Sequence, residues 1–172
     1  MQEFGALGVP FAQRGKLTDD YLRAVRAAWK DEEDYRGGRI PIWIGGNSDA
    51  GLCRAVRLGE PWHPLRFTMS WLREAVGRMT ALAGEQRRPA PGLAPRIALR
   101  LTESPVTGPG CLAGEGTIDQ ILDDLAELRL LGAGTVVLDP FNGRPGETLR
   151  PEGAWQALAT VWARTPHLRE QR

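Results

Sequence analysis

The stretch Ile40-Pro-Ile-Trp-Ile-Gly-Gly-Asn-Ser48 decides the fold of this chain. Its first part, Ile40 to Ile44, is a short and continuously apolar run, which is typical of a strand buried on both faces. The next four residues break that strand, and a helix that ends at Gly59 follows, with apolar positions at Leu52, Ala55 and Val56. The stretch therefore predicts a strand, a tight glycine turn and a helix in immediate succession.

Similar strand and helix patterns alternate through the rest of the chain. Short strands are predicted at Pro61 to Leu65, at Ile97 to Leu101 and at Thr135 to Leu138. Amphipathic helices are predicted from Trp71 to near Gly84, from a capping box of Thr117 and Gln120 to Gly132, and from Pro151 to Trp162. Because parallel strands are joined by helical crossovers, this alternation predicts an α/β fold with a parallel sheet.

A helix that begins at Thr18 is predicted before the first strand, with Asp19 and Asp20 in its first turn. A charged, glycine-containing linker, Lys30 to Arg39, separates that helix from Ile40. The chain has 172 residues and is 42% hydrophobic, enough for one domain but short of the roughly 250 residues of a complete β/α barrel.

The charge and cysteine content narrow the class of protein. The 22 basic and 21 acidic side chains nearly cancel and form no long block of one sign, which argues against a nucleic-acid partner. Cys53 and Cys111 lie far apart without a disulfide or metal spacing, and no run approaches the length of a membrane span. We expect a soluble, cytoplasmic protein without a metal site.

The turn of Gly45, Gly46, Asn47 and Ser48 is the best candidate for a binding site. Glycines let a backbone approach a phosphate closely, and the first amides of the following helix have no partner within that helix. Ser48 or Asn47 can add a side-chain hydrogen bond to the anion. The alternative is an ordinary capped turn between a strand and a helix, since Gly and Asn are frequent in turns.

The run from Ile40 to Pro64 resembles the segment between the fifth and sixth strands of luciferase-like monooxygenases, especially their deazaflavin-dependent branch. Two other stretches agree with that resemblance. Phe4 to Phe11, with Arg14-Gly15 and Asp19 to Leu22, resembles the family's helix after the fourth strand. Gly116 to Ile121, together with Gly132 to Pro140, resembles the family's last two units.

The resemblance implies an eight-stranded β/α barrel that binds a flavin or deazaflavin at the carboxyl ends of its strands. It places Gly45, Gly46, Asn47 and Ser48 on the family's phosphate-contacting turn, and Arg14 where the family has a basic residue near the phosphate; the alternative for Arg14 is a solvated loop arginine. The implied activity is that of an oxidoreductase or monooxygenase that acts on a small-molecule substrate. The implied cofactor is the deazaflavin coenzyme F(420), with FMN as the alternative.

The chain also departs from the family pattern. Gly59-Glu60-Pro61-Trp62 stands where the family usually has Gly-Asp-Gly-Trp, and the linker from Trp29 to Ile40 is shorter than the family's usual insertion. Segments that resemble the first four strands are absent. The sequence thus predicts a partial barrel of about four parallel β/α units, with no catalytic residue to carry over.

Open sheet edges are normally covered or paired, so such a half-barrel calls for a homo-oligomer or for a partner that supplies the missing half. A catalytically incomplete protein of this kind is the alternative to an active enzyme. A third interpretation is an unrelated doubly wound domain, in which the same glycine turn holds a phosphate ligand. The order of the strands distinguishes this interpretation from a barrel.

Four other residues carry side chains that could take part in chemistry or binding. His63 is a candidate acid or base, although a lone loop histidine more often packs, and His167 is interpreted as part of the tail. Asp139 ends the last predicted strand before Pro140, a sequence that is also a common turn former. Cys53 is expected on the buried side of its helix. The six tryptophans fall mostly at helix-core spacing, so no aromatic cofactor box is needed to explain them.

Overall fold

The computed structural model describes residues 2–31, 40–141, 143 and 146–166. The chain divides into two compact units, Met1–Ile40 and Pro41–Arg172. The interior of the predicted linker and His167 lie outside the described residues. No helix within these described ranges is long and apolar enough to cross a bilayer.

The first unit contains α1 (Gln2–Ala6), a short 3-10 helix (Phe11–Gln13) and α2 (Arg14–Asp31). The predicted start of α2 at Thr18 is wrong by one turn of helix. The Thr18 hydroxyl donates to the Arg14 carbonyl oxygen at 2.8 Å, so Thr18 lies inside the helix and does not cap it. Lys16 and Arg23 both pair with Asp20, and these two ion pairs support the exposed face of α2.

The second unit alternates strands and helices as the sequence predicts, except between residues 96 and 116, where three short strands follow one another without a helix. Its helices are α3 (Asp49–Leu58), α4 (Met69–Glu85), α5 (Ile118–Leu130) and α6 (Glu152–Arg164), with a 3-10 turn at Glu147–Leu149. Its strands are β1 (Ile44–Gly45), β2 (Trp62–His63), β3 (Arg96–Ala98), β4 (Arg100–Leu101), β5 (Glu115–Gly116) and β6 (Val137–Asp139). All the strand pairs in this described part are parallel.

The main strands lie side by side in chain order. β1 pairs with β2, residues of β2 and its extension bridge to Leu93 and Arg96, and β3 pairs with β6. A doubly wound sheet reverses its strand order at a switch point, and the described strands show no such reversal. The fold is therefore α/β with parallel strands, most of which are connected through helices.

The hydrophobic core lies between these strands and the helices. It is formed by fully buried side chains from both layers, among them Val56, Trp62, Leu72, Ile97, Ile121, Leu128 and Val161. Trp62 packs against Trp71 of α4, with ring centroids 5.9 Å apart. Arg73 of α4 donates to Glu127 of α5 and ties neighbouring helices together.

Several helix ends match the sequence prediction. Gly59 ends α3 in the left-handed conformation at φ 65°, which glycine adopts at little cost. Thr117 and Gln120 form the predicted capping box at the start of α5. Local sequence determines these ends, because each involves residues within one turn of the helix.

Three other predictions are wrong. The stretch Ile40 to Ile44 is not buried on both faces: Ile44 is buried, whereas Ile40 and Trp43 are exposed, because α3 covers only one face. Cys53 is exposed, because the buried side of α3 is formed by Leu52, Ala55 and Val56. Trp155 and Trp162 of α6 are 63% and 61% exposed, so helical spacing alone does not place them in the core.

Candidate functional site

The turn between β1 and α3 combines an open backbone with the beginning of a helix. Gly46 has a φ of 104°, which strains any residue with a side chain. A Cβ added at Gly45 or Gly46 meets no atom within 4 Å, so the space above both residues is open. A ligand can therefore reach the backbone of this turn directly.

Ser48 is the N-cap of α3. Its backbone is extended and its hydroxyl oxygen accepts from the Gly51 N–H at 3.3 Å. The four amides before Gly51 have no such acceptor. Among the described residues, the N–H groups of Asn47, Ser48, Asp49 and Ala50 donate to no protein atom. Four successive donors at a helix start are suited to an anion, because the helix dipole also favours negative charge there.

Gly51 allows the turn to fold back tightly onto the helix. A Cβ at this position stands 3.3 Å from the Gly45 carbonyl oxygen and 3.5 Å from that of Gly46. Asp49, whose negative charge opposes an anion at the same helix start, is 82% exposed and lies 3.8 Å from Nε of Arg78. This ion pair reduces the repulsion that the carboxylate exerts on an incoming anion.

The Asn47 side chain contacts the following strand segment. Its Nδ2 donates to the Leu65 carbonyl oxygen at 2.7 Å, and its Oδ1 accepts from the Leu65 N–H at 2.9 Å. Both polar atoms of Asn47 are thus engaged within the protein. The side chain fixes the turn against the end of the β2 segment, and the donors offered by the turn come from its backbone.

Trp62 and Glu60 also position the turn, and the sequence did not indicate either role. The Trp62 indole N–H donates to the Gly46 carbonyl oxygen at 2.9 Å from a fully buried ring. The buried Glu60 carboxylate accepts from the Ile42 N–H at 3.2 Å. The Gly59-to-Trp62 departure from the family pattern is the only sequence signal near these two residues.

Proline at position 61 leaves strand pairing intact. Its carbonyl oxygen accepts from the Ile44 N–H at 2.8 Å, and Trp62 N–H donates to Gly92 O at 2.8 Å. Pairing here needs only the carbonyl group of residue 61, so the missing N–H has no cost in this part of the sheet.

His63 lies on the opposite face of β2 from Trp62, beside the ring of Trp43 at a centroid distance of 5.2 Å. Its Nδ1 contacts the Ala94 carbonyl oxygen at 2.5 Å. A carbonyl oxygen only accepts, so Nδ1 of His63 carries a proton and donates it to Ala94. His63 is thus a half-buried histidine whose ring is held by Trp43 and by the Ala94 carbonyl group.

Arg14 belongs to the first unit, where it starts α2. Its guanidinium lies 3.9 Å from the centroid of the Phe11 ring and donates to the Phe11 carbonyl oxygen at 2.9 Å. A phosphate contact by Arg14 stays a prediction. The four turn residues Gly45 to Ser48 are contiguous in the second unit.

Comparison with known families gives a match that covers the first unit and the first part of the second. The family model described as luciferase-like monooxygenase matches residues 1–104, a range that contains the Gly45-to-Ser48 turn and its supports. No curated protein matches the chain.

Among solved structures, the crystal structure of apo-MsnO8 is similar, with a TM-score of 0.51 and 19% sequence identity. The match covers 86% of this chain and 61% of the other, so this chain spans about three-fifths of that length. At this identity the likeness concerns the fold alone. The family match covers more than half of the chain, and the protein therefore belongs to the luciferase-like monooxygenase family.

Proposed function

We propose that this chain is a flavin-type oxidoreductase of the luciferase-like kind, and that the Gly45-to-Ser48 turn holds the phosphate of its cofactor. The cofactor is the deazaflavin coenzyme F(420), with FMN as the alternative. The family match supports the class of reaction. The observation that carries the site is the set of four unpartnered amides from Asn47 to Ala50 beside the open space at Gly45 and Gly46.

The contacts of the turn give each of its groups a proposed role. The backbone amides bind phosphate oxygens, and the Ser48 hydroxyl caps α3 while lying next to the same anion. Asn47 and Trp62 hold the turn in place through Leu65 and the Gly46 carbonyl oxygen. A bound flavin or deazaflavin supplies hydride or oxygen chemistry at its ring.

Titrations of the protein with cofactors that have or lack the phosphate test whether the turn binds that phosphate. FMN is compared with riboflavin, which lacks the phosphate, and coenzyme F(420) is compared with its phosphate-free deazaflavin chromophore. We expect the phosphorylated form of one pair to bind at least about tenfold more tightly, since several charge-assisted hydrogen bonds depend on the phosphate. Binding of neither cofactor, or equal affinity with and without phosphate, contradicts the proposal.

Two glycine variants locate that effect. Gly46→Ala places a methyl group above the turn and strains its backbone, so we expect it to remove most of the preference for the phosphorylated ligand. Gly132→Ala is the matched control, because Gly132 also has a positive φ, 89°, and open space around its Cβ position. Equal loss of cofactor affinity in both variants would show that general destabilisation, and not the turn, is responsible.

The second candidate is a half-barrel whose four β/α units are completed by a second copy or by a partner chain. An apolar groove supports it: a volume of about 800 Å³ lies beside β6, and Leu138, Leu158 and the exposed Trp162 contribute to its lining. The exposed Trp43, directly before β1, adds apolar surface at the other end of the strand order. Large exposed apolar surfaces usually mark an interface.

Light scattering with a hydrophobic dye tests this candidate. We expect a dimer or larger assembly for the chain alone, or strong dye fluorescence that falls when a chain carrying the missing strands is added. The Trp162→Gln variant should weaken the assembly. A stable monomer that binds little dye would contradict the half-barrel, and it would leave the phosphate titrations unaffected.

A further inference from the structure

A second concave site lies at the carboxyl ends of the parallel strands. This cavity of about 210 Å³ is lined by Leu65 and Arg66 after β2, by Arg96 and Ala98 of β3, and by Asp139 and Phe141 at the end of β6. Parallel β/α folds usually bind their ligands at these strand ends. The lining combines apolar side chains with two guanidinium groups and one carboxylate.

The carboxylate of this cavity is fully engaged by protein groups. Oδ2 of Asp139 accepts from Nε of Arg96 at 3.0 Å and also from Nη2 of Arg96. Oδ1 of Asp139 accepts from the Phe141 N–H at 3.1 Å. Asp139 therefore acts as the turn former that its position before Pro140 indicates, and it also orients Arg96.

Positive charge remains in excess at the cavity. Nη1 of Arg96 makes no hydrogen bond with Asp139, and Arg66 has no hydrogen bond or ion pair with another described residue. The lining of the cavity thus carries two arginines and one carboxylate. Such an arrangement favours a ligand with one negative charge, because that ligand neutralises the surplus.

Arg66 is held in an unusual conformation. Its φ is 49°, in the left-handed region that a residue with a side chain rarely adopts. The residue before it, Leu65, is fixed by both hydrogen bonds from Asn47. The glycine turn therefore sets the backbone position from which the Arg66 side chain reaches the cavity, and strained residues of this kind are frequent at ligand sites.

We propose that this cavity binds the carboxylate of a small organic acid with an apolar body. Arg66 and the Nη1 group of Arg96 bind the carboxylate oxygens, while Leu65, Ala98 and Phe141 contact the apolar part. The cavity then gives the substrate class for the proposed oxidoreductase, and this role rests on the proposed function. The binding itself does not depend on a cofactor.

Fluorine NMR of para-fluorobenzoate tests the site on the whole chain without cofactor. We expect the signal to broaden in the presence of protein, and the neutral para-fluorobenzamide to bind at least about fivefold more weakly. Arg66→Gly should weaken benzoate binding by a similar factor, and glycine relieves the backbone strain, so the variant keeps its fold.

Arg87→Gly is the matched control. Arg87 also has a positive φ, 51°, and is exposed near the end of α4, and it is not among the residues that line the cavity. We expect its affinity for benzoate to equal that of the unmodified chain. Equal weakening in both glycine variants, equal binding of acid and amide, or no benzoate binding overturns the proposal.

The same variants distinguish the proposed cofactor site from the proposed carboxylate site. Gly46→Ala should lower the affinity for FMN or coenzyme F(420), while Arg66→Gly should leave the phosphate preference of the cofactor titration unchanged. If benzoate binds without any cofactor binding, the proposed function fails and the carboxylate site stands. If cofactor binds and benzoate does not, the reverse holds.

Discussion

The helices α3 and α5 both begin with backbone amides that have no acceptor within the helix, and the two helices differ in how these amides are bonded. Both have a hydroxyl N-cap, Ser48 or Thr117, that accepts from the amide of the third helical residue. In α5 that third residue is Gln120, whose Oε1 accepts in return from the Thr117 N–H at 3.1 Å. In α3 the third residue is Gly51, which has no side chain with which to reach back.

This one difference leaves the N-cap amide of α3 without a protein acceptor among the described residues, whereas the N-cap amide of α5 is bonded to Gln120. We call the start of α3 open, and the start of α5 with the loop before it the closed region. Gln120 also exchanges two hydrogen bonds with the backbone of Val106, so the loop before α5 is fastened to the helix. At α3 the space of the missing side chain is occupied by the carbonyl groups of the glycine turn. The comparison teaches that capping residues alone do not identify an anion site; the third helical residue decides whether the cap amide is already satisfied.

The largest effect should come from crowding the closed region. Gly114, just before α5, has a φ of 87°, and a Cβ there lies 1.9 Å from the Ala98 carbonyl oxygen. We expect Gly114→Ala to lower the free energy of unfolding by at least about 3 kcal/mol, from backbone strain and overpacking together. Urea denaturation followed by circular dichroism measures this change.

Gly134→Ala is the control for that substitution. Gly134 has no positive φ, and a Cβ there meets no atom within 4 Å, so its variant should differ from the original chain by no more than about 0.5 kcal/mol. A mild effect at Gly114 would mean that the loop before α5 yields easily. The contrast between a closed and an open helix start would then lose its basis.

The sequence predicted features that are decided within one or two turns of chain. The helix periodicity, the Gly59 end of α3 and the Thr117 capping box all belong to this class. It could not predict that Asn47 binds Leu65 or that Trp62 binds Gly46, because these contacts join residues 18 and 16 positions apart. Such pairs form only once β1 and β2 are neighbours.

Burial was harder to predict than secondary structure, because it depends on what covers each face. Ile40 to Ile44 reads as a strand buried on both faces, yet α3 packs on one face and Trp43 stays exposed on the other. Cys53 follows the buried Leu52 directly, and one residue is a rotation of about 100° around a helix, enough to expose it. The phosphate role of the turn remains a prediction, which rests on the residues of the turn and on the family pattern.

Variants at the two helix starts should show opposite effects on stability and on cofactor affinity. Gln120→Ala removes several hydrogen bonds to partly buried backbone groups, so we expect a loss of about 2 kcal/mol of unfolding free energy. Ser48→Ala removes a single hydrogen bond and should cost about 0.5–1 kcal/mol. Affinity for the phosphorylated cofactor should fall in Ser48→Ala and stay constant in Gln120→Ala. Parallel changes in stability and affinity for both variants would contradict the assignment of one cap to binding and the other to structure.

The smallest effect concerns Asp124, the carboxylate that holds the closed region from within α5. Burial raises the pKa of Asp124, and the Gly114 N–H, which donates to Oδ2 at 2.8 Å, opposes that rise only in part. A folded-state pKa above the unfolded value gives stability that is complete at low pH and is lost as pH rises through the folded pKa. Asn cannot ionise and its carbonyl oxygen still accepts from Gly114, so Asp124→Asn avoids this loss.

The stability of the Asp124→Asn variant relative to the original chain should therefore increase between about pH 3 and about pH 7, by an amount well below the effects of the other variants. Urea denaturation at several pH values measures the difference directly. Glu74→Gln, at an exposed position of α4, provides the control for removing one negative charge. If the difference between Asp124→Asn and the original chain is constant across this range or decreases with pH, burial does not dominate at Asp124. The protein would then stabilise the ionised form of the Asp124 carboxylate. The loop before α5 would be held to the helix by this charge as much as by the Gln120 side chain.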